Sequence, residues 1–383
     1  MNFKIVINFI FLIFIIFSCT KKTSKYELLW TSKNENAGTI YPIQYKDIFI
    51  STYKKDAEHV GIKAFYIKNG KAVWNLEEPV STSKTFYYNL KAYQKDNILV
   101  LPCDNELIAI DLKKRQTLWH TTLYDSAENF IEGTGNQVFR TYYDNQKKEY
   151  IIVKIDLFTG NSSIILQDAI TQNNKLFCRT PVPIPYEGDT LLFFSAIQQH
   201  LTTRKTIPTI SVFSMAKKEI IKKDTLKIND MGYGVTKQPI YDKNNMIFIN
   251  DNQMIVYDWK NKYIKSILDL PRDMLTSRPL IDQNICYYPA EDGFLYAVEL
   301  EKNNILWKAK ISGTPSQLKM NKDKLFIVGG GDGVFYCINK KDGSIDFSVP
   351  NEKEKYSFER PLLLTKDNRI LLCSKEQFYY FEF

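Results

Sequence analysis

The sequence is poor in the residues that carry most catalytic and metal chemistry. Only three of its 383 residues are histidine (His59, His120 and His200), and they form neither an HExxH pair nor a triad spacing. Cysteine numbers six, with no CxxC and no adjacent pair, so neither a zinc pattern nor a haem attachment site is encoded. Glycine at 16 and proline at 14 are too few for a collagenous or low-complexity chain. Arginine is scarce, with eight among the 51 basic residues, and the net charge of +8 is spread along the whole length. No basic stripe results, which argues against nucleic acid as a partner. Convincing helical periodicity is missing throughout. What the chain has in quantity is aromatic: 24 Tyr and 24 Phe, within a hydrophobic content of 44%.

Residues 1–18 read as a signal peptide outside the fold. Lys4 precedes the apolar run 5–17 (IVINFIFLIFIIF), broken only by Asn8. At 1.5 Å per residue it covers about 20 Å, short of the roughly 30 Å hydrocarbon core. The junction Ile16-Phe17-Ser18-Cys19 resembles a bacterial lipobox, with Cys19 as the lipid attachment site and the polar residues 19–25 as a tether. The alternative is an ordinary cleaved signal with an incidental cysteine. Several acyl chains give stable attachment where one is marginal. By resemblance to lipoprotein sorting rules, Thr20 in place of Asp points to the outer membrane, with the protein facing the periplasm. The other cysteines are Cys103, Cys178, Cys286, Cys337 and Cys373, four of them in apolar strand-like runs. Buried thiols acting as small hydrophobes are expected, not a disulfide framework.

A repeat organises the rest. An alternating apolar strand ends on an acidic or amide residue, a polar turn follows, and a second strand opens on a large apolar anchor. In four copies these two residues are eight apart: Asp111–Trp119, Asp156–Ile164, Glu299–Trp307 and Asn339–Phe347. In three others (Lys68–Trp74, Ser214–Ile220, Asp258–Ile264) they are six apart, which predicts a turn shorter by two. With Trp30 the anchors recur every 40 to 45 residues, except for one interval of 56. Asn69-Gly70 and Asp342-Gly343 suit tight hairpins because they accept positive φ. Two further strands lie upstream of each hairpin. Residues 360–383 hold three strands, and residues 25–33 supply an orphan fourth with Trp30. The prediction is an all-β, eight-bladed propeller of four-stranded antiparallel blades over residues 26–383, its last blade closed by the N-terminal strand.

The unit Asp292-Gly293-Phe294-Leu295-Tyr296-Ala297-Val298-Glu299 with Trp307, and more loosely Asp332-Gly333 to Phe347, resembles the pyrroloquinoline-quinone-like propeller family. That family includes quinone-dependent dehydrogenases and a cofactor-free lipoprotein propeller of the outer-membrane β-barrel assembly machinery. A lipobox followed by eight such blades looks most like the latter. The resemblance implies a membrane-anchored, non-catalytic scaffold with no cofactor or metal, binding protein partners in the cell envelope. Outer-membrane protein assembly is the specific role it suggests. The dehydrogenases typically use a Ca²⁺-like ion with Glu, Asn and Asp ligands, and several carry adjacent cysteines, which this chain lacks. Two other readings stand beside it: a quinone- or small-molecule-dependent periplasmic enzyme or sensor, and a glycan-binding lipoprotein of an uptake system.

Departures from the repeat supply the candidate site residues. The long interval contains residues 195–208 (SAIQQHLTTRKTIP), expected to be a loop between second and third strands. It offers His200, Arg204 and Lys205 as a partner-binding loop, or is merely a tolerated insertion. Arg278-Pro279 and Arg360-Pro361 precede innermost strands, with Arg179 and Lys237 near the same register. By resemblance these four would ring one mouth of the axial channel as an anion- or partner-binding site; the alternative is four solvated residues next to proline.

Overall fold

Short period-two strands with polar turns bury both faces only by stacking sheet upon sheet. A computed structural model describes residues 26–33, 42–54, 59–79, 92–103, 105–124, 126–128, 130–168, 174–200, 206–226, 239–250, 253–271, 278–290, 292–313, 316–350, 362–374 and 377–383. Cys19, Arg204, Lys205, Lys237 and Arg360 lie outside these residues, as do the signal and tether.

The strands form eight antiparallel sheets, as expected, seven of them built in sequence order from the inside outwards. Blades 1 to 7 span residues 43–79, 93–122, 126–168, 174–225, 240–269, 280–310 and 319–349. Blade 8 contributes residues 362–382 and takes its outermost strand, Glu27–Lys33, from the other end of the chain. That strand pairs with Gln377–Glu382, from Glu27 opposite Glu382 to Lys33 opposite Gln377.

Eight buried apolar clusters coincide with the eight blade interfaces. Ile50 and Leu101, for example, share the interface of blades 1 and 2, and Phe49 and Phe378 that of blades 1 and 8, which closes the ring. The five cysteines are buried in five different interfaces, behaving as the small hydrophobes anticipated. The aromatic excess serves the same packing. At the chain's end Phe383 stacks on Phe347 and Phe335, with ring centroids 4.9 and 5.5 Å apart, and ties blade 8 to blade 7.

The turn after the third strand is the same in seven blades, which corrects the two-length reading. Pairing places Tyr66, Asp111, Asp156, Ser214, Asp258, Glu299 and Asn339 at equivalent strand ends. Four residues after each comes a left-handed residue: Gly70, Arg115, Gly160, Lys218, Lys262, Asn303 and Gly343. Trp74 therefore lies eight residues after Tyr66, not six after a strand end at Lys68. In blades 4 and 5 the position eight after the strand end holds Lys222 and Ser266, and the isoleucines stand two residues earlier. Where the left-handed residue is glycine, a tryptophan of the preceding blade packs on it. Trp30, Trp119 and Trp307 would meet a Cβ on Gly70, Gly160 and Gly343 at 2.5, 2.8 and 2.5 Å. Their indole N–H groups donate to the carbonyls of Ile67, Leu157 and Lys340.

The expected loop at 195–208 is also corrected. Asp189–His200 and Thr206–Ser214 are continuous strands, paired from Leu191 opposite Ser214 to Gln199 opposite Thr206. An extra strand, Asn174–Cys178, joins the extension, with Asn174 opposite His200. The additional residues therefore lengthen blade 4 instead of looping out. Blade 3 shows the same device on a smaller scale: Ser126–Ala127 pairs with Tyr143 and Tyr142 beyond the ordinary inner strand Glu132–Thr134.

Candidate partner-binding site at the channel mouth

In an antiparallel four-stranded blade, the first and third turns lie on one face of the ring. The second hairpin and the connection to the next blade lie on the other. The innermost strands line the axis, and their starts form the channel mouth on this second face. The lengthened parts of blades 3 and 4 rise from the same face.

Two of the four predicted cations are described at this mouth, and each meets a carboxylate of blade 3. Arg278 stands two residues before the innermost strand of blade 6, Leu280–Asp282. Across the axis, its Nη2 is 3.6 Å from Oε1 of Glu132, the first residue of blade 3's inner strand; the two side chains are 15% and 11% exposed. The guanidinium also lies over the Phe130 ring, 5.7 Å from its centroid. The charge of the same carboxylate reaches Tyr241 of blade 5 and Tyr93 of blade 2, whose hydroxyl donates to the Gly135 carbonyl at 3.0 Å. Burial pushes the Tyr241 phenol up, with the Glu132 charge adding to it. The Tyr93 phenol is raised by burial, then by Asp96 and Glu132. Arg278 of blade 6 thus meets an acidic group of blade 3 whose charge is also felt by phenols of blades 2 and 5.

Arg179 sits higher, where the inner strand of blade 4 is interrupted between Asn174–Cys178 and Val182–Tyr186. Its Nη1 donates to both oxygens of Glu128, each at 2.9 Å, and its backbone N–H donates to the carbonyl of Ser195 at 3.0 Å. Beneath it Thr180 accepts from the Thr141 N–H and donates to the Phe130 carbonyl, fastening blade 4 to blade 3. A small pocket between these blades is lined by Tyr150, Cys178, Phe194, Thr209, Ser211 and Lys223 among others. Burial pushes the Tyr150 phenol well up, and Glu128 adds to the effect.

Sequence reasoning missed the carboxylates that accompany these cations and a third, fully buried cation. Arg140 of blade 3 donates through Nε to the Glu128 carbonyl at 2.9 Å and through Nη1 to the Glu106 carbonyl of blade 2 at 3.0 Å. It also lies over the Tyr142 ring at 5.3 Å. Glu106 in turn contacts His120 Nε2 at 2.7 Å with its side chain wholly buried. The only sequence signal was a charged residue interrupting the apolar alternation of Gln137–Asp144. His200 is on the blade 4 extension, away from His120 and His59 in the pairing scheme.

The arrangement is a set of matched charges suited to holding and recognising polar groups. Among the described residues no group of three His, Cys, Asp or Glu side chains converges as metal ligands would.

No family model matches the chain, and no curated protein matches it. Solved structures share its fold over almost the whole length. BamB from Moraxella catarrhalis is 12% identical, covering 94% of this chain and 98% of that one at a TM-score of 0.63. A europium-containing methanol dehydrogenase is 10% identical, covering 95% and 94% at a TM-score of 0.68. The computationally designed Ika8 protein is 14% identical, covering 93% and 100% at 0.63. The expected likeness to quinoprotein-type propellers is thus met in the fold.

Proposed function

We propose that the protein is a lipid-anchored scaffold of the cell envelope that docks a protein partner on its channel-mouth face and performs no chemistry there. Acylated Cys19 would hold the ring at the outer membrane, facing the periplasm, and a β-barrel assembly complex is the partner class favoured. The observation carrying this reading is the pairing of the mouth cations with Glu128 and Glu132, below a wall built by the lengthened blades 3 and 4. Such a surface presents shape, strand edges and matched charge. The fold likeness to BamB over 94% of the chain supports the choice of partner class.

The test is affinity capture from membranes with the anchor intact, alongside a variant in which residues 198–206 are replaced by a two-residue turn. Recovery of β-barrel assembly components by the parent chain and their loss from the variant supports the proposal. Recovery of an uptake porin instead favours a glycan-uptake lipoprotein. The likeness to methanol dehydrogenase keeps a quinone-dependent enzyme as a second reading. A visible-band shift or a rise in melting temperature on adding quinone with Ca²⁺ would establish that reading and overturn the first.

A further inference from the structure

The point at which the tether joins the ring sets its orientation at a membrane. Glu27–Lys33 runs antiparallel to the last strand, so its start lies beside Glu382 and the chain's end. Tyr26 stacks on Phe347 and meets Phe381 edge-on, with centroids 5.8 and 6.0 Å apart. Phe347 belongs to the strand that follows the Asp342-Gly343 turn of blade 7. The tether therefore emerges on the face of the first and third turns, opposite the channel mouth. Seven peptide links separate Cys19 from Tyr26. Fully extended they reach at most about 25 Å. A seven-residue strand is itself about 23 Å tall, so the tether would use its whole reach merely climbing the side of the ring.

On that face the turns that follow third strands are rich in lysine, while the first turns pair lysine with acids such as Asp47, Asp96, Asp323 and Asp367. Six of the seven turns that follow a third strand carry lysine, among them Lys68, the exposed triplet Lys113-Lys114-Arg115 and the exposed pair Lys217-Lys218. The exception, in blade 3, presents Phe158 at 52% exposure. The tether adds Lys21, Lys22 and Lys25. On the opposite face the hairpins of blades 6 and 7 carry the exposed Asp292 and Asp332, and that of blade 3 carries Lys147 and Lys148 between Asp144 and Glu149. Cations within a Debye length of an anionic bilayer are attracted to it, and an exposed aromatic suits the headgroup region.

We propose that the lysine-bearing turn face lies against an anionic lipid surface, which points the channel mouth and the raised blades 3 and 4 away from the membrane. This rests on the acylated anchor proposed above. Two independent features, the exit point of the chain and the placement of charge, select the same face.

The test is amine-reactive footprinting of the full-length lipidated chain, read peptide by peptide in mass spectra. On vesicles containing phosphatidylglycerol, Lys114 and Lys217 should label about three-fold or more slower than in detergent micelles, while Lys148 on the blade 3 hairpin is unchanged. Phosphatidylcholine vesicles should protect the turn lysines less. The variant Lys113→Glu/Lys114→Glu/Arg115→Glu, altered only at exposed positions, should lose protection at Lys217 while staying on the vesicle. Even labelling of both faces, protection at Lys148 instead, or equal protection on both lipids would overturn the inference alone. A chain that washes off every vesicle lacks its acyl anchor, and that result overturns the anchored reading together with this one.

Discussion

Trp119 of blade 2 packs against Gly160 of blade 3 so closely that a Cβ there would stand 2.8 Å from its Cδ2. Gly160 also has φ of +71°, a conformation costly for other residues. Gly160→Ala therefore meets two penalties at once, and we expect a loss of about 2–3 kcal/mol, seen as a melting midpoint lower by a few degrees. Gly188→Ala is the control. Its φ is +80° but nothing lies within 4 Å of the added Cβ, so only the backbone penalty of about 1 kcal/mol applies. Equal losses in the two variants would show that the tryptophan contact contributes nothing.

The converse holds where the repeat places a lysine at the left-handed position. Lys218 has φ of +59° and donates its N–H to the Ser214 carbonyl at 2.8 Å, which closes the turn. Lys218→Gly keeps that bond and removes the steric cost of the side chain. We expect a gain of about 0.5–1 kcal/mol in urea denaturation, since relief of the left-handed strain outweighs the extra chain entropy of glycine.

These turns show what was legible before the structure and what was not. Blade number and ring closure followed from local signals: period-two strands, the anchors at Trp30 and Trp119, and Asn-Gly or Asp-Gly pairs that accept positive φ. The turn of blade 1 was misread because Asn69-Gly70 draws attention to itself, whereas the register is set by the Gly70 N–H bonding to Tyr66. Residues 195–208 looked like a loop because the lengthened hairpin lacks clear apolar alternation, and alternation is the strand signal. The site was less legible still. Arg278 and Arg179 were visible as departures from the repeat, but their carboxylates carry no such signal: Glu128 stands on the blade next to Arg179. Glu132 stands three blades from Arg278, and only the curvature of the ring brings it within reach.

The Arg278–Glu132 contact can be weighed by a double-mutant cycle. Removing one partner leaves the other charge largely buried, whereas removing both does not. Glu132→Gln should cost about 1–3 kcal/mol, and Arg278→Met a similar amount. The double variant should lose less than the sum, by about 1 kcal/mol, given the 3.6 Å separation. Additive losses in urea denaturation would mean that the two side chains are merely adjacent.

The Asp-Gly turns of blades 6 and 7 predict opposite stability changes at the two ends of the pH scale. Tyr296 and Tyr336 donate their hydroxyls to Asp292 and Asp332, four residues earlier in each case. Burial first, then these aspartates, push both phenols up to about 12. A folded value above the unfolded one of about 10 contributes stability that is complete below pH 10 and is lost as pH rises towards 12. Burial by itself would raise the Asp332 carboxyl. Hydrogen bonds from Ser312, the Val334 N–H and Tyr336 outweigh it and hold the group below the usual carboxylate range. Its contribution is present above pH 4 and is lost as pH falls through the lower folded value. Tyrosinate absorbance should therefore show a late-titrating group, rising together with unfolding, to which both phenols belong, and Tyr336→Phe should take one phenol from it. The same variant takes a donor from Asp332, so its acid limb should also become shallower. An unchanged acid limb with an altered alkaline one would show that Asp332 owes its low value to Ser312 and the backbone alone.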